Sequence, residues 1–161
     1  LPTNPPPFGE SIMNAIRDIS QRLSLRTPLA ESLSLLAELI ESGAIPWHKG
    51  ADLAAALAAV QSRIAGFSSF ERDFPSLCFA LATGVGKTRL MAAMIAWLFR
   101  TGRSRHFLVL APNLTIYEKL KRDFDPGSDK YLLRGLPDFT VQPPILVTGE
   151  DWDSGKGVRF E

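Results

Sequence analysis

The chain has 161 residues, 45% of them hydrophobic and 22% charged, a balance that excludes extended disorder and leaves room for one domain with at most a small appendage. Lys and Arg number 18 against 17 Asp and Glu, so the formal net charge is +1; a uniformly basic nucleic-acid coat is excluded, but a local phosphate-binding face is not. The single cysteine, Cys78, excludes an internal disulfide and a cysteine-rich zinc site, and it fits a reducing compartment. Residues 1–8, rich in proline, read as a flexible lead-in. Ile12, Met13, Ile16, Ile19 and Leu23 recur at helical spacing, which predicts a helix over 9–23. Thr27-Pro28 starts a second helix, with Thr27 as its cap. Leu29, Leu33, Leu36 and Ile40 form its buried stripe, and Gly43 stops it. A turn through Pro46–Gly50 leads to a third stripe of Leu53, Leu57, Val60 and Ile64, closed by Gly66. The first 66 residues therefore read as a helical segment, 9–66.

After Pro75 the pattern changes. Leu77-Cys78-Phe79-Ala80-Leu81 is a short apolar run bounded by proline and glycine, which predicts a buried strand with Cys78 in the core. Thr83–Gly86 is a loop, and Lys87–Thr101 a helix with Leu90, Met94, Trp97 and Leu98 inward and Gly102 ending it. The longest apolar stretch in this helix, Leu90 to Phe99, is about half the ~20 residues needed to cross a bilayer. The N-terminus also lacks a signal-peptide pattern, so a cytoplasmic location and no membrane partner are expected. Phe107–Leu110 predicts a second strand. Pro112-Asn113 opens a helix striped by Leu114, Tyr117, Leu120 and Phe124 and stopped by Pro126-Gly127. Ile145-Leu146-Val147 predicts a third strand, and 125–143 a loop-rich stretch. Alternating strand and helix predict an α/β domain with a parallel sheet over residues 67–161.

Ala82-Thr83-Gly84-Val85-Gly86-Lys87-Thr88 carries chemistry. Gly84 and Gly86 allow a tight turn whose backbone N–H groups approach a phosphate without side-chain collision. The following helix adds unpaired N–H groups and the positive end of its dipole. Lys87 can reach the β- and γ-phosphates of ATP, and the Thr88 hydroxyl can ligate Mg²⁺. Thr83, Gly84, Val85, Gly86, Lys87, Thr88 and Arg89 form the expected nucleotide loop, with Lys87 and Thr88 as the catalytic pair. Leu81 stands where the fuller motif has its first glycine.

Leu81–Thr88 resembles motif I of superfamily 2 helicases of the DEAD/DEAH type. Phe107–Leu120, with its Ala111-Pro112-Asn113-Leu114-Thr115 core, resembles motif Ia as used by the restriction subunit of type III restriction–modification enzymes. Leu23–Pro28 resembles that family's lead-in to its first helix. The resemblance implies a RecA-like ATP-binding lobe preceded by a helical segment. It also implies ATP and Mg²⁺ as cofactors, DNA as partner, and a modification methyltransferase as possible partner subunit. Pro112, Asn113 and Thr115 would then face a DNA strand's phosphates; Asn113 as a plain helix cap is the alternative. Leu29 replaces the glutamine with which many relatives read adenine.

The family's acidic Asp-Glu-x-His motif does not occur, and Asp151-Trp152-Asp153 reads as a surface loop. The chain, opening on Leu1 rather than Met, is expected to be the front piece of a larger DNA motor and inactive alone; the type III resemblance would imply a nuclease domain downstream, which the sequence leaves open. A P-loop kinase and a non-catalytic nucleotide-binding module are the competing readings. His48 and His106 lack partners at zinc-ligand spacing, so His106 is expected to be structural. Trp97 is expected in a helix–sheet core, and Trp47 and Trp152 as caps on the core. Arg100, Arg103 and Arg105 are expected at a solvated helix end.

Overall fold

The computed structural model describes residues 8–46 and 52–153. Most of the lead-in, Trp47, His48 and the rest of the turn to Gly50 lie outside the described residues, as does the Trp152 side chain. The chain divides into two compact units, Leu1–Arg105 and His106–Glu161.

Among the described residues the first unit holds helices α1 (Phe8–Arg22), α2 (Thr27–Glu41), α3 (Leu53–Gln61) and α4 (Lys87–Arg100). Helix α4 packs against both α1 and α2. Its inner face is Leu90, Ala92, Ala93, Ala96 and Trp97. The small alanines let neighbouring helices come close, and Trp97, fully buried, fills the space they leave. The facing stripes are Ile16, Ile19 and Leu23 near α1, and Leu29, Leu33, Ala37, Leu39 and Ile40 on α2. Leu36, Met94 and Leu98, expected inward, are only half-buried.

Gly43 and Gly102, both at positive φ, follow the ends of α2 and α4 as the sequence predicts, whereas α3 ends at Gln61, well before Gly66. At Gly102, the Arg103 N–H returns to the Leu98 carbonyl at 2.9 Å, closing the last turn of α4. Ser24 fills the same left-handed position after α1 without being glycine, at φ 48°. The start of α2 differs by one residue from expectation. Arg26, extended, is its cap, so Thr27 and Pro28 are the first two helical residues.

Three ion pairs among the described residues fasten this unit. Asp18 on α1 accepts from Arg100 at 2.7 Å and from Arg22 at 2.5 Å. Arg103 pairs with Glu41, the last residue of α2, and its guanidinium stacks over Trp97 at 5.4 Å from the ring centroid. Arg100 and Arg103 are thus structural cations, not a solvated helix end.

The second unit holds α5 (Leu114–Phe124), a 3₁₀ turn (Leu132–Gly135), α6 (Pro137–Val141) and α7 (Gly149–Asp153). Leu120, Phe124, Tyr131, Leu133, Leu136 and Phe139 form its core. The stretch 125–143 therefore contains helical turns with core residues rather than only loop. Asp151–Asp153 is helical too: the Asp151 carboxylate accepts from the N–H and hydroxyl of Thr148, just before α7.

The expected parallel sheet is overturned. Among the described residues there is no strand. Residues 75–82, 106–111 and 143–148 run without ladder partners, and the RecA-like α/β architecture is replaced by helices and connecting segments. The side chains explain the failure. Leu108, Leu110 and Ile145 are 86%, 79% and 88% exposed, and Leu114, expected inside α5's stripe, is exposed as well. An interior parallel strand needs a hydrogen-bonded neighbour on each side and cover on both faces. None of the three runs is assigned to a strand. Cys78 is exposed for the same reason, and the core around Trp97 is helix on helix.

Burial raises the Asp18 carboxyl, and hydrogen bonds from Arg100 and Arg22 outweigh it, leaving it below the usual carboxylate range. A depressed carboxylate stabilises the fold above its unfolded value and stops doing so as pH falls through its folded value. Asp18→Asn should cost about 1 kcal/mol at pH 7. Urea titrations should show that difference shrinking below about pH 4. Tyr131 is the alkaline counterpart. Burial pushes its phenol up to about 12, and its hydroxyl donates to the Phe139 carbonyl at 3.3 Å. Its contribution is complete below about pH 10, the unfolded value, and is lost as pH rises toward 12. Tyr131→Phe should flatten the alkaline loss of stability, read by thermal melts between pH 8 and pH 11.

Candidate nucleotide loop

Residues 75–82 approach the loop outside any helix or strand, braced near their start by the Ser76 hydroxyl donating to the Phe70 carbonyl. Thr83 and Gly84 make an exposed turn, with Gly84 at φ 75°. Val85 is half-buried. Gly86 caps α4 in the left-handed region, at φ 109° and ψ 40°. Its carbonyl accepts from Arg89 N at 2.9 Å and Leu90 N at 3.1 Å, so the turn is continuous with the helix. An L-residue at that φ would be strained, which is the local reason for glycine here.

Lys87 is the first helical residue and exposed, Thr88 the second and half-buried, Arg89 the third and exposed. The first turn of α4 contains no acidic residue, nor does that of α2. A left-handed glycine opening a helix, a lysine at the first position and no competing carboxylate fit a phosphate group. Thr88 would supply the oxygen for a phosphate-bound Mg²⁺.

One contact at this loop had no signal in the local sequence. A Cβ placed on Gly86 would lie 3.2 Å from Leu29 Cδ1. Leu29 is 1% exposed, in the first turn of α2. The position noted for its missing glutamine thus packs on the loop itself.

The second set of expected site residues lies in the other unit. Pro112 and Thr115 are exposed, and Asn113 caps α5, its Oδ1 accepting from Ile116 N at 3.0 Å. The cap uses the amide oxygen only; a phosphate would take the amide nitrogen, a donor, so the two roles do not compete. His106 is exposed, and it starts no strand.

The family model for the type III restriction enzyme res subunit matches residues 48–139, more than half of the chain, and the chain belongs to that family. Its match contains the loop 83–89 and the Pro112-Asn113 element, while α1 and α2 lie outside it. A protein of Haemophilus influenzae described as a probable type III restriction-modification enzyme HindVIP Res subunit is 38% identical over 85 aligned residues. That alignment covers 45% of this chain and 16% of the relative, so the chain corresponds to a small part of that protein's length. No solved structure matches the chain. Among the described residues no helix is long and apolar enough to cross a membrane.

Asn113→Ala should destabilise the second unit by about 1 kcal/mol, whereas Asn113→Ser should retain most of the cap. Amide exchange at Ile116 should speed up in the alanine variant and stay near the parent rate in the serine variant.

Proposed function

We propose that this chain supplies the ATP-binding loop of an ATP-dependent DNA translocase or helicase of the type III restriction class, acting in the cytoplasm. One observation carries the reading: within the family match, Gly86 opens α4 in the left-handed region and presents Lys87 at the helix start. Thr83, Gly84, Val85 and Gly86 would surround the phosphates with backbone N–H groups, with Arg89 on the next turn. Lys87 would place its ammonium on the terminal phosphates, where charge builds as the γ-phosphoryl group leaves. Mg²⁺, held in part by the Thr88 hydroxyl, supplies further neutralisation of phosphate charge when bound.

Pro112, Asn113 and Thr115 are the residues we assign to DNA phosphates, through the Asn113 amide nitrogen and the exposed Thr115 hydroxyl. The intact enzyme would couple ATP turnover to movement on DNA, with a modification methyltransferase subunit as partner and an endonuclease activity in the same assembly. The 161-residue chain by itself would bind nucleotide without turning it over.

Equilibrium binding of Mg·ATP to the purified chain tests the loop. Lys87→Ala should weaken binding about ten- to a hundredfold, the range expected for losing a charge-assisted hydrogen bond. Unchanged affinity, or magnesium-dependent turnover by the chain alone that survives the substitution, would rule the reading out.

A further inference from the structure

Five glycines with positive φ are found among the described residues: Gly43, Gly66, Gly84, Gly86 and Gly102. At four of them a Cβ would meet open space; at Gly86 it would meet Leu29 Cδ1. Leu29 Cδ1 therefore lies on the side of Gly86 that a side chain would occupy, 3.2 Å from where its Cβ would stand. Leu29 is itself fixed. It is almost fully buried, and its N–H donates to the Arg26 carbonyl at 2.9 Å in the first turn of α2. On the other side, Gly86 is hydrogen-bonded into α4 through Arg89 and Leu90. The peptide that starts the helix is thus clamped between its own helix and a side chain from α2, which lies outside the residues matched by the family.

We propose that Leu29 is a positioning residue for the nucleotide loop: its packing on Gly86 sets where the first N–H groups of α4 and Lys87 stand relative to a bound triphosphate. The inference rests on reading residues 83–89 as the nucleotide loop and adds to it a determinant from α2. Phosphate recognition by backbone N–H groups depends steeply on placement, because hydrogen bonds fade within a few tenths of an ångström and with misaligned angle. A left-handed glycine has many accessible conformations, so an outside contact is needed to select one. Leu29 supplies that contact with an apolar, branched side chain, filling space without competing for the phosphate.

The test compares matched substitutions on α2 in the whole 161-residue chain. Leu29→Val removes the Cδ atoms that reach Gly86 and keeps an apolar side chain. Leu33→Val makes the same change one turn later, at another fully buried position. Leu29→Met restores length and volume. Mg·ATP affinity is measured below the melting range of every variant, alongside amide exchange at Gly86, Lys87 and Thr88. Leu29→Val should weaken binding about tenfold, as misplacing a binding group does, and should speed exchange at those amides. Leu33→Val should lower the melting temperature and leave affinity within about twofold, and Leu29→Met should recover the parent affinity. Equal effects of the two valine variants would overturn the proposal, since Leu29 would then matter only as core. Binding that needs Lys87 but ignores Leu29→Val would overturn it alone. Binding indifferent to Lys87→Ala would overturn the nucleotide reading and the proposal with it.

Discussion

Helices α2 and α4 touch at both ends, and the first unit is organised around that pairing. At their starts Leu29 meets Gly86, and at their ends Glu41 meets Arg103. The two contacts require the helices to run side by side in the same direction. Parallel neighbours bring like dipole ends together. The two negative ends lie where Arg100 and Arg103 stand, and Arg103 also neutralises Glu41, an acid unfavourably placed at a helix C-terminus. The two positive ends lie at the loop, where neither first turn carries an acid. The packing that stabilises the unit thus leaves a local positive field at the residues assigned to phosphate, in a chain whose net charge is only +1.

Cohesion of that pair comes mainly from its buried seam. Ala92, Ala93 and Ala96 are fully buried, and no longer side chain at those positions could allow the same approach of the helices. Trp97 then needs a large space, which the neighbouring helices provide, and the Arg103 guanidinium closes it from the end of α4. Asp18 links α1 to the same end through Arg100. Both ion pairs are partly exposed, so they register the helices more than they stabilise them.

Helices were legible in the sequence because their signals are local. Stripes at i, i+3 and i+4 located α1, α2 and α4 within a residue or two, while α3 ends at Gln61, short of the stripe's last residue Ile64; Gly43 and Gly102 adopt the left-handed conformation their positions demand. Asn113 was equally legible as a cap. Strands were not, since a continuous apolar run such as Phe107–Leu110 encodes a demand for burial and says nothing about what meets it. A run of that composition pairs only if another backbone is placed beside it, and here Leu108 and Leu110 face outward. The turns in 125–143 carry no periodic signal, because Tyr131, Leu133, Leu136 and Phe139 do not follow a single period; they converge from a 3₁₀ turn and a five-residue helix.

The nucleotide loop divides along the same line. The chemistry we propose for it is read from consecutive residues: two glycines for the turn, a lysine for charge, a threonine for the metal. Its placement is not. The contact from Leu29 joins residues remote in sequence and has no periodic or compositional mark. The resemblance to superfamily 2 helicases would imply a glutamine at that position, where this chain has leucine. The structure gives the leucine a different physical role. A glutamine there would present a polar amide to the buried face of Gly86, and it would need a partner that an apolar seam does not offer. Leucine needs only shape, and shape against a glycine α-carbon is what the site has. The departure from the relatives' pattern and the packing of the loop are therefore one feature, seen first as a missing polar group and then as a seat for the turn that carries Lys87.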